Sequence, residues 1–338
     1  MKTLRQWYLE NRRDLPWRQT RDPYPIWLSE IILQQTRVNQ GLPYYHRFLE
    51  AFPEISDLAL APPDKVMRIW QGLGYYSRAR NLQAAAQQVL IEHQGKFPVD
   101  YPSIRALKGV GDYTAAAIAS FSFGLPHAVV DGNVYRFLSR LTGNSTPIDT
   151  TDGKKEFSAL AEELLDRNDP GVHNQAMMEL GATVCLPANP RCNDCPFMAA
   201  CAAFLDEGID ELPVKSKKQK VTERYFHYFI FEEKGHTWIR SRTGKDIWRG
   251  LYEFPLVETG KNQDDLVPFL STLNGAIRAS RRVRHLLSHQ TIHAVFYRVV
   301  TGQKPLKKFG ALQKVAFEDL ENFAFPQLLV NYLKSERF

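Results

Sequence analysis

The chain has 338 residues, 44% hydrophobic and 24% charged, which excludes a disordered polypeptide and fits two or three domains. Its 43 Lys and Arg against 37 Asp and Glu give +6, a balance that permits a polyanionic partner without establishing one. The longest apolar run, Phe197 to Leu205, falls far short of the ~20 residues of a membrane span, and Met1 opens no signal-like segment, so a soluble cytoplasmic protein with no membrane contact is expected.

From Met1 to about Gly208 the apolar residues recur at three- and four-residue spacing, as in Val66, Met67 and Trp70, then Leu82, Ala85, Ala86, Val89 and Leu90. This part reads as nearly all helix. Pro43, Pro53, Pro62-Pro63, Pro98, Pro102 and Pro126, with Gly95 and Gly124, cut it into many short helices and exclude a coiled coil. Within it, Glu30 stands beside Ile31, Ile32 and Leu33; taken alone, such a carboxylate reads as an exposed helix residue.

The run 107–115, Leu107-Lys108-Gly109-Val110-Gly111-Asp112-Tyr113-Thr114-Ala115, sets two glycines before an alanine-rich helix, Thr114 to Phe123. Gly109 and Gly111 let the backbone turn sharply and approach a ligand, and the helix start offers free N–H groups to an anion such as a DNA phosphate. An ordinary tight helix–helix turn is the plain alternative. Eighteen residues after Tyr113 comes Asp131, in Val130-Asp131-Gly132-Asn133 at the start of a helix expected over Val134 to Leu141. A carboxylate there is normally a cap.

Cys185, Cys192, Cys195 and Cys201 follow a C-x6-C-x2-C-x5-C spacing within 185–201, which suits an iron–sulfur cluster better than the paired C-x2-C knuckles usual for zinc. Zinc and free thiols both stay open. Arg191 inside the loop would offer a fixed cation to a phosphate. Residues 209–222, with Pro213 and the run Lys215-Ser216-Lys217-Lys218-Gln219-Lys220, have no apolar period and read as a solvated linker. Beyond it, aromatic and β-branched runs at Tyr225 to Phe231, Thr237 to Ile239 and Ala294 to Val300 alternate with helix-like stretches near Leu266 to Leu273 and Gln327 to Leu333. The fold class is therefore multi-domain, with an all-α module over 1–208 and an α+β domain over 223–338.

Residues 12–18 (Arg12-Arg13-Asp14-Leu15-Pro16-Trp17-Arg18), 27–36 (Trp27 to Thr36) and 72–78 (Gly72-Leu73-Gly74-Tyr75-Tyr76-Ser77-Arg78), the hairpin, Val130 to Asn133 and the cysteine loop together resemble the helix–hairpin–helix DNA glycosylase superfamily, and within it the MutY family of adenine DNA glycosylases. The resemblance covers Met1 to about Leu205. It implies an iron–sulfur cluster loop carrying a [4Fe–4S] cluster on the four cysteines, and an active site between two helical subdomains. It also implies a monovalent cation held by the carbonyls of Arg105, Leu107 and Val110. In this superfamily a lysine two places after the second hairpin glycine forms a Schiff base with the sugar; Tyr113 cannot, so a monofunctional enzyme that uses water is expected.

Breaking an N-glycosidic bond to adenine calls for one acid and one anion. On the family reading, Glu30 in its apolar stretch has a raised pKa and protonates adenine N7, while Asp131 at its helix start stays ionised and faces the sugar cation. Tyr113 and Asn133 position sugar and water around them. Gln35 and Tyr75 match the positions that fill the gap when the base is flipped. Arg78 and Lys108 are expected phosphate contacts.

From about residue 222 the chain is similar, more weakly, to the Nudix-like domain with which the family reads 8-oxoguanine, best at Trp248 to Pro255. It carries no acidic Nudix box, so recognition without pyrophosphate hydrolysis is expected. Ser288 and His289, after Leu287, match a lesion-contacting loop, with the basic run Arg281-Arg282-Val283-Arg284 just before it; an ordinary strand-end turn is the alternative. The implied partner is double-stranded DNA with adenine opposite 8-oxoguanine or guanine, bound by a monomer that is nucleoid-associated through DNA. The rival readings are a pyrimidine glycosylase/lyase of the same superfamily and a non-enzymatic iron–sulfur DNA-binding protein.

Overall fold

The computed structural model describes residues 3–216, 221–261, 266–271, 273, 276–300 and 309–336. Residues 217–220 of the expected linker and Thr272 of the expected helix near Leu266 lie outside the described residues. Contacts divide the chain into two compact units, Met1–Leu60 with Asn81–Lys217, and Ala61–Arg80 with Lys218–Phe338.

The first unit is helical. It holds α1 (Leu4–Asn11), α2 (Pro23–Ile32), α3 (Val38–Ala51) and α4 (Ile55–Leu60), while α5 (Pro63–Trp70) belongs to the second unit and α6 (Ser77–Glu92) begins there. Then come α7 (Tyr101–Ala106), α8 (Asp112–Phe123), α9 (Gly132–Thr142), α10 (Thr151–Leu164), α11 (Pro170–Thr183) and the short α12 (Ala202–Leu205). The side chains of Thr3, Asp22, Asp100, Asp131 and Thr150 each accept a backbone N–H of the helix they precede, satisfying donors that have no partner inside the helix. Gly124 and Gly143, both left-handed, end α8 and α9.

One core cluster joins both ends of this unit: Trp7 and Tyr8 of α1 pack with Phe137 and Leu138 of α9, Phe157 of α10, and Met177 and Leu180 of α11. Gly181 brings α11 onto the start of α9, since a Cβ there would stand 2.8 Å from Asn133 Cβ and from its carbonyl oxygen.

The second unit has a four-stranded sheet in the order β4-β1-β6-β5 and a three-stranded sheet in the order β3-β2-β7. The strands are β1 (Thr222–Glu232), β2 (His236–Ser241), β3 (Tyr252–Glu253), β4 (Leu256–Thr259), β5 (Ala276–Leu286), β6 (Gln290–Val300) and β7 (Gln313–Ala316). β1 and β6 run parallel, from Thr222 opposite Gln290 to Glu232 opposite Val300. Phe229, Trp238, Phe269, Val299 and Phe309 form the core on one side. Besides α5, this unit has α13 (Leu266–Leu270) and α14 (Gln327–Ser335), the latter stacking Tyr332 on Phe296 at 3.9 Å.

Two expectations need correction. Residues 61–80 pack with the C-terminal unit, because Gln71 accepts the Phe325 N–H at 3.1 Å, Asp64 accepts the Tyr252 hydroxyl at 3.2 Å, and Met67 lies against Gly250. The first part of the linker is not solvated: Ile209 and Leu212 give their carbonyls to Arg140 Nε, and Val214 O accepts the Ile148 N–H at 3.1 Å. A buried guanidinium needs those acceptors, so the chain is docked up to Ser216, which bonds Asp149. Among the described residues no helix is long and apolar enough to cross a membrane.

Gly181→Ala should push α11 off the α9 start and cost about 1–3 kcal/mol, the usual range for overpacking, measured by chemical denaturation.

Candidate active site

A cleft of about 1440 Å³ opens in the first unit, and its walls include Glu30, Tyr113, Asp131 and Asn133 together with hairpin residues Gly109 and Gly111. Glu30 lies on α2, which is apolar along most of its length, and is 7% exposed. Tyr113, one residue into α8, donates its hydroxyl to Glu30 Oε2 at 2.6 Å. Burial pushes the Glu30 carboxyl up to about 7; Asp131 adds to the rise, and the Tyr113 hydrogen bond and Arg18 oppose it. Tyr113 is itself held neutral, well above its ordinary value, by burial and by the two carboxylates.

Asp131 caps α9. Its Oδ1 accepts the N–H of Asn133 at 2.9 Å and of Val134 at 2.8 Å, and its Oδ2 accepts Asn133 Nδ2 at 2.7 Å. The helix start was expected to keep this carboxyl ionised. Burial raises it from its ordinary value, against the pull of these donors and of Arg136. The two carboxyls therefore differ through their partners: one phenol on Glu30, three N–H donors and a nearby guanidinium on Asp131.

Three residues of the site had not been singled out from sequence. Arg136 bonds Asn133 Oδ1 at 3.0 Å, Gly181 O at 2.7 Å and Cys185 O at 2.7 Å, so it ties the α9 start to the cysteine loop. Arg140, one turn on, reaches Cys185 Sγ at 3.5 Å and the carbonyls of Leu186 and Pro187. On another wall, the wholly buried Glu179 accepts Arg13 Nε at 2.8 Å, Arg13 Nη2 at 2.7 Å and Arg18 Nη2 at 2.7 Å. Burial would raise its carboxyl, but those hydrogen bonds hold it down at about 2. A lone carboxylate in the apolar run Met177-Met178-Glu179-Leu180 was the available signal, the same kind that Glu30 gives.

Cys185, Cys192, Cys195 and Cys201 line one cavity with Phe137, Val184 and other mainly apolar residues. Burial pushes the Cys195 thiol up to about 11. Among the described residues no three His, Cys, Asp or Glu side chains converge as the ligands of a single ion. At the hairpin, Gly109 has φ +76° and a Cβ there would meet Asn81 Cβ at 2.6 Å, so the turn requires glycine. The Val110 carbonyl, one of the three expected to hold a monovalent cation, accepts Arg105 Nη1 at 2.9 Å.

Gln35 is exposed on the first unit's cleft with φ +56°. Tyr75 falls in the second unit, 41% exposed, with its hydroxyl 2.5 Å from Ser288 Oγ. Ser288 and His289 are exposed in the turn between β5 and β6, and His289 O accepts the Thr222 N–H at 3.1 Å. Arg78 was expected as a phosphate contact. It is buried, its Nη2 donates to the carbonyls of Leu73 and Gly74 at 3.3 Å, and it lies over the rings of Trp70 and Tyr75, so it braces the loop that carries Tyr75. Lys108 is exposed.

Residues 28–167 match the HhH-GPD superfamily of base excision DNA repair proteins, and residues 227–335 match a NUDIX domain. The fold is thus an all-α HhH-GPD module followed by an α+β Nudix-like domain. The adenine DNA glycosylase of Buchnera aphidicola subsp. Acyrthosiphon pisum (strain APS) is 33% identical over 291 residues, 85% of this chain and 82% of that protein. That of Rattus norvegicus is 43% identical over 308 residues, 76% of this chain and 60% of that protein. The chain belongs to the adenine DNA glycosylase family. Among solved structures, a thermostable thymine-DNA glycosylase is 30% identical with a TM-score of 0.56, covering 60% of this chain and 94% of that one. Endonuclease III in a non-covalent DNA complex, 21% identical with a TM-score of 0.52, covers 61% of this chain and 99% of its own and shares the fold.

The raised Glu30 carboxyl has a consequence for stability. Between its unfolded pKa near 4.5 and its folded value of about 7, the folded protein holds a proton that the unfolded chain releases, so stability falls as pH rises through that window. Glu30→Gln cannot ionise. Its unfolding free energy relative to the parent should therefore grow by roughly 3 kcal/mol between pH 4.5 and pH 8, read by denaturant titration at each pH.

Proposed function

We propose that the chain excises adenine opposite 8-oxoguanine or guanine in duplex DNA by hydrolysis, without cutting the strand. The observation that carries this reading is the buried Glu30 carboxyl, bonded by the neutral Tyr113 phenol in one cleft with Asp131. A carboxyl with a pKa of about 7 is well suited to hand a proton to adenine N7 at neutral pH. As the C1′–N9 bond breaks, its electron pair leaves with the protonated base and the sugar becomes oxocarbenium-like. The Asp131 carboxylate, fixed by its N–H partners, stabilises or transiently traps that cation. Water then adds at C1′, leaving free adenine and an abasic site. Asn133 and the Tyr113 hydroxyl position sugar and water.

The flipped nucleotide requires a held backbone and a filled gap. The hairpin at Gly109 and Gly111, with the free N–H groups of the α8 start, suits a phosphate, and Gln35 and Tyr75 suit the vacated stack. Ser288 and His289, exposed beside one another, suit contacts to the opposite base.

The four cysteines suit a [4Fe–4S] cluster: they line one mainly apolar cavity, and Arg140 brings a guanidinium to Cys185 Sγ as counter-charge for thiolates. Bound there, the cluster would supply iron–thiolate bonds that cross-link loop 185–201; Arg136 and Arg140 transmit the loop's position to the α9 start.

Purified protein should contain about four irons per chain, and Cys192→Ser should lose them together with DNA affinity; stoichiometric zinc in place of iron would defeat the cluster assignment. In single-turnover assays on duplexes with adenine opposite 8-oxoguanine, guanine or thymine, followed by alkali, Glu30→Gln should lose excision by several orders of magnitude while still binding the mispair. Near-parental excision by that variant would remove the proposed mechanism. Replacing Ser288 and His289 by Ala should erode the preference for 8-oxoguanine over guanine and leave the excision of adenine opposite guanine near its original rate.

A further inference from the structure

The wall of the cleft opposite the hairpin carries a charge arrangement that the reaction as described does not use. Glu179, on α11, is 0% exposed; Arg18, in the turn Pro16–Arg18, has a side chain 10% exposed; Arg13 is 41% exposed. Two guanidiniums thus share one carboxylate. Both Glu179 oxygens are taken, Oε1 by the Arg13 N–H and Nε, Oε2 by Arg13 Nη2 and Arg18 Nη2. Solvent screens Arg13, but Arg18 is enclosed, lies over the Tyr8 ring at 5.6 Å, and depends on Glu179 for its counter-charge.

Arg18 and Glu30 line the same cleft. The groups acting on Glu30 are Tyr113 from α8, Asp131 from the start of α9 and Arg18 from its turn; of these, Arg18 supplies the positive charge. Arg136, the other enclosed guanidinium nearby, is bonded to Asn133 and to the carbonyls of Gly181 and Cys185 and acts on Asp131. An enclosed guanidinium deprived of its carboxylate seeks another, and Glu30 is a carboxyl within its field.

We propose that Glu179 is a positioning residue for adenine excision: by holding Arg18 in a buried ion triad with Arg13, it keeps that guanidinium from pairing with Glu30 and leaves Glu30 able to carry the proton. The inference rests on Glu30 being the proton donor. A brace that served stability alone would predict that loss of Glu179 or of Arg18 lowers the rate at every pH alike. The charge arrangement predicts opposite displacements. Without Glu179's charge, Arg18 favours the Glu30 carboxylate and the acid is lost at lower pH; without Arg18, the carboxylate loses a stabilising charge and the acid persists to higher pH.

The test is the pH dependence of single-turnover adenine excision by the full chain on a duplex with adenine opposite 8-oxoguanine. Glu179→Gln should move the alkaline fall in rate to lower pH by roughly one unit, an effect of about fivefold at pH 7 that approaches tenfold at higher pH and is recovered on acidification. Arg18→Gln should move it to higher pH, the double variant should lie between the two, and Glu179→Asp, which keeps the charge, should leave the fall near its original position. If Glu179→Gln fails to fold, Arg18→Gln decides alone, since a fall that stays put or moves downward overturns the proposal. Excision that survives in Glu30→Gln would instead show that the donor was misassigned. An inactive Glu30→Gln with unmoved profiles in the other variants sinks the positioning role only.

Discussion

Asp131 commits both of its oxygens to the helix it precedes, and that commitment fixes much of the first unit. Its cap on Asn133 and Val134 orients Asn133, whose amide oxygen accepts Arg136, and Arg136 continues to the carbonyls of Gly181 and Cys185. Every polar group in this sequence of bonds is wholly or partly enclosed, so each depends on the next for its partner; an enclosed guanidinium or carboxylate left alone is costly by several kcal/mol. α9, α11 and the cysteine loop therefore hold one another in register, and the close approach this needs is possible because position 181 has no side chain. On the proposed reading, a carboxylate that must face a short-lived cation gains its precision from bonds that lead away from the cleft.

Glu30 is built on the opposite principle. It has a single strong donor, Tyr113, within an apolar helix, and so it prefers its neutral form. One cleft thus presents a carboxyl whose hold on its proton is strengthened by poverty of partners and a second kept in place by abundance of them. The contrast survives the finding that burial raises both, because it lies in the hydrogen bonds and not in depth alone.

What was legible in the sequence follows from how local each signal is. Glu30 among Ile31, Ile32 and Leu33, the glycines of the hairpin and the Asp131 cap depend on immediate neighbours, and the structure brings all three to one cleft. The strands at Tyr225 to Phe231 and Ala294 to Val300 showed because they are buried and aromatic or β-branched. β5 did not: Arg278, Arg281, Arg282 and Arg284 along it break any apolar alternation, and it borders a single neighbour, β6. Arg78 read as a phosphate contact because an arginine's charge is visible in sequence and its burial under Trp70 is not. Arg136, Arg140 and Glu179 were hidden for the same reason, since their partners lie tens of residues away.

The assignment of residues 61–80 to the second unit carries the longest consequence. This segment is helical and amphipathic, which in sequence marks it as one more piece of the helical module, yet its polar contacts run to Tyr252, Phe325 and Ser288. Tyr75, with backbone in the left-handed region and two glycines just before it, stands on a loop whose carbonyls are fastened by Arg78, and its hydroxyl meets Ser288. On the proposed reading, the residue that fills the gap beside the opposite base and a residue that reads that base are thus hydrogen-bonded parts of one folded unit. The carboxyls that break the bond belong to the other. On that reading, the side chains that serve the opposite base and the vacated stack share one hydrogen bond within one unit. The boundary between the units follows packing, and it passes through the middle of what the sequence presents as a single helical module.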